Sequence, residues 1–197
     1  MRIGFFGGTF DPVHLGHLVL AEQCREQAKL DEVWFAPAAM PPHKTRQDIT
    51  DGLHRLKMLE YAIAGHEHFR VTSIELDRTG PSFTVDTLTV LKEQHAHVDW
   101  SLMIGADSLR DFHSWREPER IVEMARIVAV NRGGDPTPDV NSFRSQFGDC
   151  VSLVEIPGLQ ISATDLRARV ASGRSIRFLV PRAVEVYIQQ QGLYRQS

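Results

Sequence analysis

Short apolar runs alternate along the chain with longer stretches in which apolar residues recur at helical spacing. The runs predict buried strands at Arg2–Phe6, Glu32–Ala36, Phe69–Glu75, Trp100–Gly105, Ile127–Asn131 and Val151–Ile156. The amphipathic stretches predict helices at Leu15–Leu30, Asp51–Ala64, Phe83–Gln94, Ser162–Ser172 and Pro181–Gln191, with short helical pieces between Gly105 and Met124. Strands that are apolar throughout are expected where helices cover both faces of a sheet. The pattern therefore predicts an α/β fold, a Rossmann-like doubly wound parallel sheet with helices on both faces.

Two segments interrupt this alternation. Pro37–Thr50 is predicted to be a polar, proline-bearing loop, and Gly133–Asn141 a mobile loop. Neither has the character of a domain boundary, and the chain contains no internal repeat or low-complexity tract. A length of 197 residues suits one α/β domain. We therefore expect residues 1–197 to form a single domain.

Composition and charge narrow the class of protein. Hydrophobic residues make up 42% of the chain and charged residues 24%, with a net charge of −3. This charge disfavours a surface that coats nucleic acid, although a local basic pocket for a small phosphate ligand stays compatible with it. Cys24 and Cys150 form neither a disulfide framework nor a metal cluster, and Cys24 is predicted to be a buried thiol, which fits a reducing cytoplasm. The first residues lack the apolar region of a signal peptide, and no run approaches the ~20 apolar residues that span a bilayer.

The stretch GGTFDPVHLGH, Gly7–His17, lies where the first predicted strand ends. In such a sheet ligands bind at the carboxyl ends of the strands, and glycines there let the backbone approach a ligand. Asp11-Pro12 turns the chain into the next helix, and His14 and His17 are expected to share a face of that helix around Gly16. Exposed N–H groups, a helix N-terminus and two imidazoles predict a phosphate site. A metal site and two ordinary helix histidines are weaker readings of the same pair.

A second constellation, ISATDLR, occupies Ile161–Arg167. Ser162 is a natural N-cap, and Asp165 three residues later completes a start that resembles a capping box. Thr164 then lies in the first turn, where N–H groups and the helix dipole favour anions, and Arg167 follows on the same face. Taken alone, the stretch is better explained as a capped surface helix.

Together the two stretches resemble the nucleotidyltransferase superfamily that carries an H-x-G-H motif near the N-terminus and an I-S-x-T-x-x-R motif near the C-terminus. Three further stretches, PPHK at Pro41–Lys44, GPSFTVDTL at Gly80–Leu88 and GADSLRDFHSW at Gly105–Trp115, narrow the match. All five in this order are similar to bacterial nicotinate-nucleotide adenylyltransferases, from Gly4 to the C-terminus. That family joins ATP to nicotinate mononucleotide and releases pyrophosphate.

The resemblance implies a role for each matching residue. The implied catalytic residues are His14, His17, Lys44 and Arg167. The implied ATP-binding residues are Gly7, Gly8, Thr9, Phe10, Gly105, Asp107, Ser162 and Thr164. The implied binding residues for nicotinate mononucleotide are Thr84, Trp115, Arg116 and Arg132, with Trp115 stacking on the pyridine ring. The resemblance also implies Mg²⁺ carried by the ATP phosphates, with no metal site of the protein's own and no nucleic-acid or membrane partner.

This sequence departs from the family pattern at two places. Many relatives have Trp-Tyr where this chain has Trp115-Arg116, and some have Asn where it has Ala38-Ala39. Sister adenylyl- and cytidylyltransferases, an adenylyltransferase that prefers nicotinamide mononucleotide, and a fragment of a class I aminoacyl-tRNA synthetase share the H-x-G-H motif and are rival interpretations. A non-catalytic nucleotide sensor is a rival of a different kind. The sequence leaves open whether the chain forms a homo-oligomer.

Overall fold

The computed structural model describes residues 1–39, 49–78, 80–133 and 138–195. Six strands form one all-parallel sheet in the order β3-β2-β1-β4-β5-β6. The strands are β1 Arg2–Gly8, β2 Glu32–Pro37, β3 Phe69–Val71, β4 Asp99–Gly105, β5 Ala125–Arg132 and β6 Val151–Ile156. The helices in the described segments are α1 Leu15–Gln27, α2 Gly52–Ile63, α3 Thr84–Gln94, α4 Asp107–Asp111, α5 Pro118–Met124, α6 Val140–Phe147, α7 Ala163–Ala171 and α8 Arg182–Gln191. The predicted doubly wound sheet is confirmed.

Alternate residues of each strand supply two apolar cores, one on each face of the sheet. Phe6 of β1 belongs to the core beneath α1, α2, α7 and α8, whereas the neighbouring Phe5 belongs to the core beneath α3, α5 and α6. This alternation follows from the period of two along a strand. Because both faces are buried, the strands are apolar throughout, and that is the pattern from which the sheet was predicted.

Two elements end earlier than the sequence predicts by several residues. Helix α1 ends at Gln27 rather than Leu30, because Lys29 adopts a left-handed backbone with φ of 53°. Strand β3 ends at Val71 rather than Glu75: Thr72 still donates to the Phe35 carbonyl, and the chain then turns. These apolar patterns continue past the point where the backbone leaves the element.

The predicted loop Gly133–Asn141 extends too far toward the C-terminus, because its last two residues belong to a helix. Helix α6 begins inside it at Val140, and the Asp139 carboxylate accepts a hydrogen bond from the Ser142 N–H at 3.0 Å. This N-cap starts a helix whose buried Phe143 packs on the sheet. The sequence of α6 is short and mostly polar, and its apolar contacts come chiefly from Phe143 and the partly buried Phe147, whose rings lie 4.9 Å apart.

The strand order reverses between the neighbouring strands β1 and β4. From β1 the chain adds β2 and β3 on one side of the sheet, and from β4 it adds β5 and β6 on the other. In open α/β sheets the crevice for ligands forms at the carboxyl ends of the strands at such a reversal. Gly8 ends β1 and Gly105 ends β4. The predicted ligand motifs Gly7–His17 and Gly105–Trp115 therefore begin at this crevice. Among the described residues, no helix is long and apolar enough to cross a membrane.

Candidate active site

The turn that follows β1 folds around the ring of Phe10. This ring is 2% exposed and packs edge-on against Phe6 at 5.3 Å and against His17 at 5.0 Å between ring centroids. A side chain at Gly8 would meet the Phe10 ring at 3.0 Å. Gly8 therefore makes room for a packed aromatic ring of the protein itself, in addition to the predicted approach of a ligand to the backbone.

His14 and His17 stack on each other at the start of α1. Their ring centroids are 3.7 Å apart with planes inclined at 27°. His14 is the residue before the helix, with extended backbone, so the shared helical face predicted for the pair is wrong in detail although the rings do meet. A side chain at Gly16 would meet the His14 ring at 3.1 Å, so this glycine accommodates the imidazole.

The hydrogen bonding of His17 defines its neutral tautomer. The His14 backbone N–H donates to His17 Nδ1 at 3.2 Å. A ring nitrogen that accepts a hydrogen bond carries no proton, so the neutral imidazole holds its hydrogen on Nε2. His17 is thus oriented by the backbone as an Nε2–H donor beside the N-terminus of α1.

The I-S-x-T-x-x-R stretch starts α7 as predicted. The Ser162 hydroxyl accepts from the Asp165 N–H at 3.1 Å, which confirms the N-cap. Arg167 Nη2 donates to the Thr164 hydroxyl at 3.3 Å, which confirms that the two side chains share a face. Arg167 Nη1 donates to the Asp11 carbonyl at 2.7 Å, across 156 residues of sequence. The structure therefore brings the two motifs together at the end of β1.

A cavity of about 670 Å³ opens beside the N-terminus of α3. Its lining includes Ser82, Phe83, Thr84, Asp107, Ser108, Arg110, Asp111, Ser114, Trp115, Arg116 and Ile121. Thr84 is the first residue of α3, and the leading N–H groups of a helix have no partner within it. Trp115 is half-buried, with its ring 5.1 Å from that of Phe112. The cavity combines an aromatic wall with helix N–H donors, which suits a flat ring that carries an anionic group.

Arg116 lies at the mouth of this cavity. Its guanidinium covers the Phe83 ring at 4.8 Å from the centroid and pairs with Asp86 at 3.5 Å and Glu117 at 3.6 Å. The side chain is half-exposed, so these ion pairs contribute little to stability. Their carboxylates nevertheless balance much of the positive charge that Arg116 brings to the cavity.

Asp107 lines both this cavity and a second one of about 830 Å³, which Gly105, Val130, Asn131 and Ser142 also help to line. The Asp107 carboxylate folds back against Gly105, where a Cβ would overlap its Oδ1 atom. Arg132 ends β5, and its side chain is outside what the structure describes. Lys44 lies outside the described residues altogether. In the described part of the chain, no group of three or more His, Cys, Asp or Glu side chains is arranged to hold a metal ion.

Sequence reasoning missed several buried polar residues behind the site. Asp11, in the turn after β1, is 2% exposed, and Arg55, which donates to the Thr9 carbonyl of that turn, is 1% exposed. Sequence gave Asp11 only a turning role and placed Arg55 on an ordinary helix. An arginine among apolar helix positions is the only local signal of this arrangement.

A second buried network reaches the lining of the 670 Å³ cavity at Ser82. Thr87 of α3 donates to the Glu75 carboxylate at 3.0 Å, and Ser82 also hydrogen-bonds to Glu75. The Ser82 hydroxyl accepts from the Ala39 N–H at 3.2 Å. Burial raises the pKa of Glu75, an effect that these hydrogen bonds and the charges of Arg78 and Arg55 oppose. The end of β2 is thereby connected to the segment that begins α3.

The fold and the paired motifs define a nucleotidyltransferase, and the cytidylyltransferase-like family model matches residues 5–169. The chain is 44% identical over 197 residues to a probable nicotinate-nucleotide adenylyltransferase of Thermomicrobium roseum, covering 98% of this chain and 92% of that protein. It is 45% identical over 195 residues to the corresponding protein of Thermus thermophilus, covering 99% and 100% of the two chains. This chain therefore belongs to the nicotinate-nucleotide adenylyltransferases within that family.

A solved structure shares the fold. The nicotinic acid mononucleotide adenylyltransferase of Plasmodium falciparum complexed with NaAD aligns with a TM-score of 0.81 at 22% identity, covering 98% of this chain and 97% of that one. At this identity the similarity extends to the fold alone.

Proposed function

We propose that this protein transfers the adenylyl group of ATP to nicotinate mononucleotide, giving nicotinate adenine dinucleotide and pyrophosphate. The observation that carries the proposal is the placement of two distinct features at one edge of the sheet. The stacked histidines and Arg167 gather at the end of β1, and the aromatic cavity with Thr84 and Trp115 opens near the end of β4. One feature suits a triphosphate and the other a pyridine nucleotide.

The reaction needs no nucleophile from the protein. A phosphate oxygen of nicotinate mononucleotide attacks the α-phosphorus of ATP, and the bond from that phosphorus to the bridging oxygen of the β-phosphate breaks as pyrophosphate leaves. Catalysis then rests on positioning the two substrates in line and on stabilising the developing charge. Imidazole, ammonium and guanidinium donors suit this task, and Mg²⁺ enters as part of the ATP substrate.

The proposed roles follow the local geometry. His17 presents Nε2–H to the ATP phosphates, His14 supports it by stacking, and Arg167 faces the phosphates from α7 together with Ser162 and Thr164. Lys44, in the predicted loop Pro37–Thr50, is proposed to contact phosphate. The backbone of Gly7, Gly8, Thr9 and Phe10 lines the same turn.

The remaining roles concern the two nucleoside parts. Gly105 and Asp107 are proposed to meet the ribose of ATP. Trp115 stacks on the pyridine ring, and the N–H groups at the start of α3 near Thr84 bind its carboxylate. Arg116 lies at the rim, and Arg132 is proposed to contact phosphate. A cytoplasmic location and a single domain stay predictions from the sequence.

The proposal is tested by measuring pyrophosphate release from ATP with each of three acceptors: nicotinate mononucleotide, nicotinamide mononucleotide and phosphopantetheine. A parallel assay replaces ATP with CTP to test for cytidylyl transfer. We expect release with nicotinate mononucleotide and a product whose mass equals that of nicotinate adenine dinucleotide. Release only with another acceptor would identify a sister enzyme. ATP binding without release for any acceptor would indicate a nucleotide sensor.

A further inference from the structure

The C-terminal tail is joined to the turn after β1 through a buried carboxylate. The Tyr194 hydroxyl donates to Asp11 Oδ1 at 2.6 Å. The Thr50 N–H donates to Asp11 Oδ2 at 3.2 Å, and the Asp11 carbonyl accepts from Arg167 at 2.7 Å. Asp11 is therefore a hub at which the tail, the start of α2 and α7 meet.

Arg55 links the same two segments, the start of α2 and the turn after β1, through two backbone carbonyls. Its Nε donates to the Thr50 carbonyl at 2.8 Å and its Nη1 to the Thr9 carbonyl at 2.9 Å. Thr50 is thus held through both its N–H and its carbonyl.

Tyr194 reaches Asp11 in an unusual backbone conformation. Its φ is 64°, in the left-handed region that non-glycine residues rarely adopt. Helix α8 ends just before it, and the Leu193 N–H closes the end of that helix on Ile188. A conformation of this kind persists only where surrounding contacts hold it. Burial and the neighbouring Asp11 carboxylate raise the pKa of Tyr194, so its hydroxyl remains a donor.

We infer that Tyr194 is a positioning residue for adenylyl transfer: through Asp11 it fixes the turn between β1 and α1 against Arg167 and Thr50. This inference rests on the proposed function. Tyr194 itself touches no reacting atom. It acts because Asp11 lies three residues before His14 and accepts Arg167 on its own carbonyl, so the phosphate-facing groups share one support.

The test replaces one hydroxyl at a time. Tyr194→Phe keeps the half-buried ring and removes the donor to Asp11. Tyr187→Phe is the matched control, because the half-buried Tyr187 also makes a part-buried hydroxyl contact, with His54 at 2.8 Å, and lies on α8 rather than beside the turn. A misplacement of reacting groups by a fraction of an ångström to 1 Å is expected to lower kcat about tenfold to a hundredfold.

We expect Tyr194→Phe to lower kcat in this range and to leave KM for nicotinate mononucleotide within about twofold, because the cavity with Thr84 and Trp115 is lined by other residues. Tyr187→Phe should retain wild-type kcat. Arg55→Lys, which offers a single ammonium for two carbonyls, should reproduce the kinetic pattern of Tyr194→Phe. Equal kcat in Tyr194→Phe and Tyr187→Phe, measured on folded protein with melting temperatures recorded, would overturn the inference.

The proposed function and this inference fail in different ways. Wild-type protein that releases no pyrophosphate from ATP and nicotinate mononucleotide would overturn the proposed function. In that case calorimetric titration with a non-hydrolysable ATP analogue decides the positioning role. Binding weakened threefold or more in Tyr194→Phe relative to Tyr187→Phe supports it, and equal binding overturns it.

Discussion

At the scale of single residues, backbone groups orient the side chains that are proposed to face phosphate. His17 Nδ1 accepts from the His14 N–H, and Arg167 donates to the Asp11 carbonyl. Backbone contacts of this kind hold a donor in place before substrate arrives, so little reorganisation is needed as charge develops. The description predicts different kinetic consequences for the histidine and the arginine.

Replacing His17 with alanine is expected to lower kcat far more than it raises KM for ATP. If Nε2–H donates mainly as charge develops, its loss costs about 3–4 kcal/mol, or roughly two to three decades in rate. Steady-state kinetics at saturating nicotinate mononucleotide measure this. His97→Ala, on the exposed surface, is the control. A His17→Ala enzyme within about threefold of wild type would remove His17 from the mechanism.

Replacing Arg167 with lysine is expected to weaken ATP binding. The guanidinium contacts the Asp11 carbonyl and the Thr164 hydroxyl with two nitrogens at once, and an ammonium cannot reproduce this fork. We expect about a tenfold or larger loss of affinity, equivalent to roughly 1.4 kcal/mol. Arg169→Lys on the same helix, where Arg169 pairs with Asp165 at 2.8 Å, should bind as wild type does. Unchanged calorimetric affinity for ATP in Arg167→Lys would contradict this placement.

At the scale of elements, the segment between β3 and α3 is held by a buried carboxylate. Glu75 is 6% exposed and accepts from Thr87 of α3 at 3.0 Å. The sequence predicted a strand across this residue, but β3 ends at Val71. The chain turns there. Glu75 forms a hydrogen bond with the Ser82 side chain, and the Ser82 hydroxyl accepts a hydrogen bond from the Ala39 N–H. A polar network replaces strand pairing in this region.

The network predicts a definite pH dependence of stability. Burial raises the folded-state pKa of Glu75 above its unfolded value, so the native state holds the proton more tightly. The stability contributed by protonated Glu75 is fully present below the pKa of this group in the unfolded chain. It is lost as the pH rises through the higher pKa of Glu75 in the folded protein. The unfolding free energy of wild type minus that of Glu75→Gln should therefore decrease from about pH 4.5 to about pH 7.5. Urea unfolding at both pH values measures it, with Glu26→Gln as a surface control, and an increase would contradict the assignment.

Elements with strong apolar patterns were predicted well, and a short helix with few apolar residues was not. The strands β1, β2, β4, β5 and β6 were located because each contributes to the buried cores of the sheet. Helix α6 was missed because only Phe143 is fully buried and polar residues separate it from the partly buried Val140 and Phe147. Within the site, local spacing predicted the Ser162 cap and the Thr164–Arg167 pair. The Tyr194–Asp11 bond, which spans 183 residues, leaves no local trace in the sequence.

At the scale of the whole molecule, the reversal of strand order places two substrate features at one sheet edge. The turn after β1 carries the groups proposed to face phosphate, and the segments after β4 and before α3 form the aromatic cavity. Because β1 and β4 are neighbours, the proposed phosphate site and the proposed mononucleotide site open at adjacent strand ends. Under the proposed function, the strand order would therefore bring the two substrates together.

The acceptor preference is the most direct test of the proposed reaction, and it is measured as kcat/KM for nicotinate and nicotinamide mononucleotide at saturating ATP and Mg²⁺. The N–H donors at the start of α3 suit a carboxylate, whereas a carboxamide would turn an N–H₂ group toward them and leave buried donors unpaired. Each mismatch costs about 1–3 kcal/mol, so we expect a preference of roughly a hundredfold or more for nicotinate mononucleotide. Arg116→Ala should retain most of it, because Asp86 and Glu117 balance that charge. Equal values for the two acceptors, or a preference for the nicotinamide nucleotide, would contradict the account.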